Sequence, residues 1–254
     1  MNVANPSTAV QGINDWARKA THGLIPQILL PGDLGVNTSV ILANAASFAA
    51  KWQTPFSSDK TVLGNFVSTD GSLKAAEFMH IDRFQGLSAD RSDSTAVAIP
   101  YQGGKFESLI LEPKSQSMPE FVNTLTSDRL AEIVRGLHSA RTSLTVPKFS
   151  AATSVSLDHA LRALGITAAY DQASFGGISN RPLALGTVKQ RSVVSMDEQG
   201  TTASSVTTGV LNAIGGTAYS AGITIDHPFL MMIRDTQTGA ILFESIVTDP
   251  SASH

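Results

Sequence analysis

Residues 199–225 have the sequence QGTTASSVTTGVLNAIGGTAYSAGITI, which differs from an ordinary surface loop. The segment contains no Asp, Glu, Lys, Arg, His or Pro, although exposed loops of this length normally carry charge and proline. It is rich in residues that favour a strand, namely Thr201, Thr202, Val206, Thr207, Thr208 and Val210. The composition is therefore that of a strand, whereas the flanking Glu198-Gln199-Gly200 and Gly215-Gly216 are typical of loop boundaries.

A segment that is a loop in one conformational state and a strand in another requires this mixture. It must lack charges, which are costly to bury on one face of a sheet. It must also lack proline, which removes a hydrogen bond from a strand ladder. The alternative is a flexible Ala/Thr/Ser linker between two strands, and composition alone leaves both interpretations open.

The residue composition of the 254-residue chain excludes several classes of function. Its 18 basic and 21 acidic residues give a net charge of −3 without a basic block, so nucleic-acid binding is not expected. No apolar run approaches the roughly 20 residues of a membrane helix, so no membrane partner is expected. The absence of cysteine excludes disulfides and thiolate metal sites. Residues 1–6 lack the features of a signal peptide.

Hydrophobic periodicity predicts helices and strands without strict alternation, which indicates an α+β fold. Helices are predicted from Pro6 to a cap at Gly23, through Leu130 to Leu137, and through Leu157 to Leu164. Strands are predicted at residues 39–48, 142–149, 188–196, 229–233 and 241–247, and the first is expected to be buried on both faces. Between residues 61 and 111, short strands are expected to form hairpins at Asp70-Gly71, Gln85-Gly86 and Gly103-Gly104.

Motifs along the whole chain resemble those of the serpin family. They are Ile13-Asn14-Asp15-Trp16, Thr21-His22-Gly23-Leu24-Ile25, Asn44-Ala45 with Phe48, Trp52 and Phe56, Ile99-Pro100-Tyr101-Gln102-Gly103, Val146-Pro147-Lys148-Phe149, Leu164-Gly165-Ile166, Phe175-Gly176-Gly177-Ile178, Asp197-Glu198-Gln199-Gly200-Thr201, Asp226-His227-Pro228-Phe229, Ile233-Arg234-Asp235 and Gly239-Ala240-Ile241-Leu242-Phe243. Each motif alone is weak evidence, but together they occur in order and at the spacing of the family.

The resemblance implies a serpin fold, in which three β-sheets are surrounded by up to nine helices. It implies a single serpin domain across residues 1–254 that corresponds to the C-terminal two-thirds of the family's fold. The chain is therefore expected to be N-terminally truncated and to start near the sixth helix. An extracellular location and, for the complete protein, a monomeric state are implied in the same way.

The resemblance also implies a mechanism for residues 199–225, which correspond to the family's reactive-centre loop. In serpins a serine protease cleaves this loop and forms a covalent acyl-enzyme, and the freed loop inserts into the main sheet as a new strand. Family spacing implies a reactive bond between Ile214 and Gly215, with Leu211 or Tyr219 left open as other cleavage positions. The implied hinge comprises Glu198, Gly200, Thr201, Thr202, Ala203, Ser204 and Ser205. The small, uncharged residues from Gly200 to Ser205 predict an active inhibitor.

The loop composition also predicts the class of protease. No Lys or Arg lies between Ser192 and Ile233, so no side chain can pair with the carboxylate of a trypsin-type pocket. Elastase-, chymotrypsin- or subtilisin-like enzymes, which accept apolar side chains, are expected instead.

Three further residues are singled out by the resemblance. It assigns Trp52 to the breach, where the loop enters the sheet, and Asn44 and Gln190 to the shutter, where the sheet parts. Core packing and a satisfied buried amide are alternative explanations for Trp52 and Asn44. Gln190 replaces a histidine of the family, a departure that bears on the rate of insertion.

An enzyme is the competing interpretation, and the sequence offers it little support. Ser57-Ser58-Asp59-Lys60 matches the Ser-x-x-Lys motif of β-lactamases, but the downstream Lys-Thr-Gly is missing. The six histidines are scattered without metal-ligand spacing. We therefore expect neither catalysis nor a cofactor nor a metal. The alternative among non-enzymes is a binding protein that kept the serpin fold and lost inhibition.

Overall fold

The computed structural model describes residues 6–34, 40–139, 141–171, 175, 177–180, 183–202 and 222–251. Within these ranges helices and strands are mixed along the chain, which confirms the α+β class. The helices are α1 (Pro6–Ala20), α2 (Met118–Thr124), α3 (Ser127–Arg135), α4 (Asp158–Ala163) and α5 (Ala168–Asp171). None of these described helices is long and apolar enough to cross a membrane.

Fifteen strands occur in the described ranges. They are β1 (Val40–Ser47), β2 (Ala50–Lys51), β3 (Val62–Val67), β4 (Leu73–Ile81), β5 (Leu87–Asp90), β6 (Ser94–Pro100), β7 (Phe106–Pro113), β8 (His138–Ser139), β9 (Leu144–Pro147), β10 (Phe149–Ser156), β11 (Leu185–Met196), β12 (Gly200–Thr202), β13 (Ile223–Thr224), β14 (Phe229–Asp235) and β15 (Ile241–Val247). The sequence missed α2, although Ser117 and Glu120 form a capping box at its start.

The chain divides into two compact units, one made of Met1–Phe48 with Ala152–Val193 and the other of Ala49–Ala151 with Val194–His254. In the first unit, α1 packs its apolar face on the segment that follows it, through Val10, Ala17, Ile25 and Leu29 among others. In the same unit, β1 pairs in parallel with β11, from Val40 opposite Leu185 to Ser47 opposite Val193.

The expectation that β1 is buried on both faces is wrong. Ile41, Ala43 and Ala45 pack against the α1 cluster, but Leu42 and Asn44 point to the other face and are exposed. The side chain of Leu42 is 53% accessible to solvent. Successive residues of a strand face opposite sides, so an apolar run does not by itself show that both sides are covered.

Among the described residues, two sheets lie within the second unit. One has six strands in the order β15-β14-β7-β6-β5-β8, and the other has four in the order β13-β9-β4-β3. Helices α2 and α3 cover the six-stranded sheet, where Phe121 and Ile133 pack with Leu109, Leu111 and Met232. Also in this unit, the end of β11 pairs with β12, and β12 pairs with β2.

The hairpin predictions are confirmed at two of three places. Asp70-Gly71 connects the paired strands β3 and β4, and Gly103-Gly104 connects β6 and β7. Gln85-Gly86 does not form a hairpin, because β4 and β5 belong to different sheets. Glycine is required at position 86 for packing, since a Cβ atom there would lie 2.2 Å from the Phe84 ring.

Candidate functional site

The start of the 199–225 segment forms a strand of the second unit, β12. Strand β12 (Gly200–Thr202) is hydrogen-bonded to β11 on one side and to β2 on the other, with Thr201 opposite Met196 and Ala50. The Thr201 side chain is completely buried. Two of the predicted hinge residues, Gly200 and Thr201, therefore already lie in a strand that is paired with β11 on one side and β2 on the other.

A tight turn around Asp197 brings the chain into β12. The Asp197 carboxylate accepts hydrogen bonds from the backbone N–H groups of Gln199 and Gly200, at 2.8 and 3.1 Å. The backbone N–H of Asp197 donates to the carbonyl of Gly200 at 2.9 Å. A short polar side chain that bonds to the backbone two residues ahead is the usual basis of such a turn.

Glycine is required at position 200 by close approach of the neighbouring strand. A Cβ atom there would lie 2.1 Å from the carbonyl oxygen of Ala50 and 2.8 Å from the Cα atom of Lys51. Both contacts are with backbone, so a side chain cannot be accommodated by a rotamer change. Position 200 thus fixes how near β12 lies to β2.

Trp52 and Tyr101 form the buried support of this strand. Their rings are stacked with centroids 4.6 Å apart and planes 11° apart. The indole Nε1 of Trp52 donates to the carbonyl of Asp197 at 2.8 Å, and the Tyr101 hydroxyl lies 2.5 Å from that of Thr201. Burial raises the pKa of Tyr101, so the phenol stays protonated at neutral pH. Trp52, predicted at the breach, therefore contacts the turn that leads into the hinge.

Glu198 is tied to a separate polar cluster. Its carboxylate accepts a hydrogen bond from the Thr61 hydroxyl at 2.7 Å and lies 3.2 Å from the Lys148 ammonium, which also pairs with Glu77 at 3.3 Å. Burial alone lowers the pKa of Lys148, but the hydrogen bonds and charges of Glu198 and Glu77 outweigh it and raise the pKa. The ammonium group is therefore charged where it pairs with Glu198, the first residue of the predicted hinge.

The two predicted shutter residues meet in the first unit. Asn44 and Gln190 are directly opposite in the β1–β11 register, and the Asn44 amide donates to the Gln190 carbonyl oxygen at 3.4 Å. Asn44 is exposed, so the alternative of a satisfied buried amide is wrong for it. The Gln190 amide donates in turn to Ser192 at 3.3 Å.

The end of the 199–225 segment lies at the edge of the four-stranded sheet. Strand β13 (Ile223–Thr224) pairs in parallel with β9, and Thr224 is exposed. Next in the chain, the backbone N–H groups of Asp226 and His227 donate to the carboxyl group of Glu112 at 3.1 and 2.9 Å. Burial raises the pKa of Glu112 to about 7.

Glu112, Asp226 and His227 are the described residues closest to a metal-ligand arrangement. One potential ligand atom of each lies within 4.8 Å of the others. Their oxygen and nitrogen atoms bond to one another and to the backbone, which accounts for the cluster without an ion.

The structure separates the serine and lysine of the Ser-x-x-Lys match. The Ser57 hydroxyl donates to Asp59, whereas the Lys60 ammonium pairs with Asp82. A catalytic pair would require the amine to lie next to the hydroxyl. The geometry therefore does not support an acyl-enzyme site at Ser57.

Five predicted site residues lie outside the described residues, namely Ala203, Ser204, Ser205, Ile214 and Gly215. Of Thr202 only the backbone is described. Sequence reasoning assigned no role to Tyr101, Lys148 or Asp197. All three belong to the motifs quoted above, but their convergence on the hinge depends on contacts between distant parts of the chain.

Comparison with known proteins gives a consistent result. The family model described as "Serpin (serine protease inhibitor)" matches residues 1–250. Glia-derived nexin of Mus musculus is 30% identical over 98% of this chain and 65% of its own length. Iripin-2 of Ixodes ricinus is 31% identical over 94% of this chain and 60% of its own length. The chain thus spans less than two-thirds of these relatives.

Solved structures agree with this result. Thyroxine-binding globulin in complex with thyroxine superposes with a TM-score of 0.85 at 27% identity, covering 99% of this chain and 67% of the globulin. These similarities extend over nearly the whole chain, including the strands around the predicted hinge. The chain therefore belongs to the serpin family.

Proposed function

We propose that this chain is the part of a serine protease inhibitor that carries the reactive-centre loop, at residues 199–225, and that it is not an enzyme. The observation that carries the proposal is the burial of Thr201 in β12, between β11 and β2. The first hinge residues already occupy the position that an inserting strand would take. After cleavage the remainder of the loop follows them into the sheet.

The register of β12 specifies how insertion would continue. Thr202 lies opposite Ser195, so antiparallel extension pairs Ala203 with Val194 and Ser205 with Ser192. The side chains that then share the face of buried Thr201 are Ala203 and Ser205, which are small and uncharged. Extension along β11 requires β1 to give up its pairing, beginning at Ser47 opposite Val193. The contact between Asn44 and Gln190 breaks in the same process.

The reactive bond is proposed between Ile214 and Gly215, with a covalent acyl-enzyme as the inhibited complex. Because no Lys or Arg lies between Ser192 and Ile233, the target is an elastase-, chymotrypsin- or subtilisin-like serine protease. On the basis of family resemblance, the proposal also includes an extracellular location and, for the complete protein, a monomeric state.

A second candidate function is small-molecule or protein binding without inhibition. It is favoured by the similarity to a globulin that was solved with thyroxine bound. The two candidates differ in their outcome with a protease, since only an inhibitor retains the enzyme covalently.

The test is incubation of the 254-residue chain, and of the longest gene product that contains it, with elastase, chymotrypsin and subtilisin. We expect an SDS-stable complex with at least one of these enzymes and none with trypsin. Mass spectrometry of the released C-terminal peptide should place the cut between Leu211 and Tyr219. Cleaved product without any complex, for both proteins and all enzymes, would contradict inhibition and favour the binding protein.

A further inference from the structure

A cavity of about 780 Å³ opens at one end of the six-stranded sheet, within the second unit. Its walls come from the connection between β4 and β5, the β6–β7 hairpin, the segment after β8 and the turn after β14. They contribute Arg83, Phe84, Leu87, Ala98, Glu107, Ser139, Arg141 and Thr236, among others. Its volume falls in the range of small-molecule sites, about 300–1,000 Å³.

The walls are held in place by hydrogen bonds and close packing. The backbone N–H of Phe84 donates to the carbonyl of Thr142 at 2.9 Å, which joins two of the contributing segments. The Thr236 hydroxyl donates to the carbonyl of Gly104 at 2.9 Å and thereby fixes the turn after β14 to the β6–β7 hairpin. The Phe84 ring, which is buried, lies against Gly86. The cavity is therefore preformed.

The lining combines apolar surface with charge. Leu87 and Pro100 supply accessible apolar atoms that a hydrocarbon or aromatic group can cover, whereas Phe84 and Ala98 are buried. The lining also includes two arginines and two acidic residues. Which ligand the cavity favours depends on which of these charged groups already have a partner.

Both acidic groups of the lining are already paired. The Asp82 carboxylate contacts the Lys60 ammonium and lies 3.0 Å from His80 Nε2. Glu107 lies 3.3 Å from the guanidinium of Arg234. Neither acid depends on the arginines of the lining for a partner.

The two arginines of the lining, in contrast, have no ion pair or hydrogen bond within the part of the chain that the structure describes. Arg83 and Arg141 are both exposed, and they precede Phe84 and Thr142, whose backbones are joined. Because Arg83 and Arg141 both line the cavity, an anion bound there gains favourable electrostatic energy from their positive charges. Carboxylates match the planar donor geometry of guanidinium groups.

We infer that this cavity binds a small amphipathic carboxylate, with its ring or hydrocarbon against Leu87 and Pro100 and its charge at Arg83 and Arg141. Neutral apolar molecules would leave the two guanidinium groups unpaired and bind more weakly. Inorganic anions would lack the apolar contact. The inference does not depend on protease inhibition, because the site lies on residues that the proposed inhibitory mechanism does not use.

Calorimetric titration with 2-naphthoate and with the neutral 2-naphthamide tests the inference directly. We expect the carboxylate to bind about tenfold more tightly than the amide, because charge-assisted hydrogen bonds to guanidinium are strong. Arg83→Glu and Arg141→Glu should each abolish that preference. Arg135→Glu is the matched control, since it changes an exposed arginine of α3 outside the cavity, and it should keep the preference.

Equal affinities for naphthoate and naphthamide would overturn the inference. A loss of preference in Arg135→Glu as large as in the two cavity variants would also overturn it, because net charge alone would then explain the binding. Since all three arginines are exposed, the variants should unfold at the same urea concentration as the original protein.

Discussion

The two described ends of the proposed reactive-centre segment, residues 199–225, are held in different ways. At its start, β12 has a hydrogen-bonded neighbour on each side, and Thr201 is fully buried. At its end, β13 pairs with β9 at the edge of a sheet, and Thr224 is exposed. A strand between two others tolerates few side-chain substitutions, because its neighbours pack against it. An edge strand tolerates more. Insertion is therefore expected to proceed from the start of the segment, while the end remains paired with β9 at the edge of its sheet.

The largest expected effect comes from a charge at the start of the segment. Thr201→Arg places an unpaired charge where the side chain is completely buried, at a cost of about 3–5 kcal/mol. The hinge should then leave the sheet, and the inhibitor should become a substrate. We expect the moles of inhibitor consumed per mole of protease to rise at least about tenfold, the factor that each 1.4 kcal/mol contributes.

The matched control is Thr224→Arg, where the same change falls on an exposed side chain. It should leave both the stoichiometry of inhibition and the rate of proteolysis in residues 203–221 unchanged. Equal effects of the two substitutions would remove the distinction between a buried start and an external end.

A smaller effect is expected from adding one methyl group. Gly200→Ala brings Cβ within 2.1 Å of the Ala50 carbonyl oxygen, so β12 and β2 must separate, at a cost of about 2–3 kcal/mol. Amide hydrogen exchange at Gly200–Thr202 should accelerate by at least about tenfold, as a loss of 1.4 kcal/mol requires.

Gly222→Ala is the comparison at the other end. There the shortest contact is 2.0 Å to the Ser143 hydroxyl, which can rotate away, and the Ser143 carbonyl is 2.9 Å distant. The exchange rate at Ile223–Thr224 should change less than that at Gly200–Thr202. A larger change at Ile223–Thr224 would contradict the view that only the start is tightly packed.

Sequence reasoning found most elements but few of the contacts that hold the hinge. Helix α3 and strand β14 were predicted because their apolar spacing and caps are local features. The stack of Trp52 on Tyr101 and the bond from Tyr101 to Thr201 join residues far apart in the chain, so no local pattern encodes them. The exposure of Leu42 was missed for the same reason, since it depends on which elements cover β1.

Near neutral pH, an effect of pH on stability is expected at the end of the segment, through Glu112. Its pKa of about 7 in the folded protein exceeds the ordinary value of 4.5, because the carboxyl group is buried. Between these pH values the folded protein binds more protons than the unfolded chain, so the free energy of unfolding falls as pH rises. Each unit of pKa shift corresponds to ~1.4 kcal/mol. Because Glu112 also interacts with Asp226 and His227, we expect the free energy of unfolding to fall by about 2 kcal/mol between pH 4.5 and pH 7.

Glu112→Gln keeps an oxygen that can accept from the N–H groups of Asp226 and His227 but removes the titration. Urea unfolding between pH 4.5 and 7.5 should therefore show a flatter profile for this variant. The exposed Glu244→Gln serves as control and should follow the original profile. A profile for Glu112→Gln as steep as the original would contradict the role of this carboxyl group.

The smallest expected effect isolates a single hydroxyl group at the start of the segment. Tyr101→Phe keeps the stack on Trp52 but removes the partner of the buried Thr201 hydroxyl. Such a loss costs about 1 kcal/mol, so exchange at Gly200–Thr202 should rise by about fivefold while Ile223–Thr224 stays unchanged. Tyr170→Phe is the control, because it removes a hydroxyl that donates to Asp158 in the first unit. If both variants accelerate exchange at Gly200–Thr202 equally, the effect reflects general destabilisation. If Tyr101→Phe alone does so, the hydroxyl pair holds the hinge in the sheet before any protease arrives.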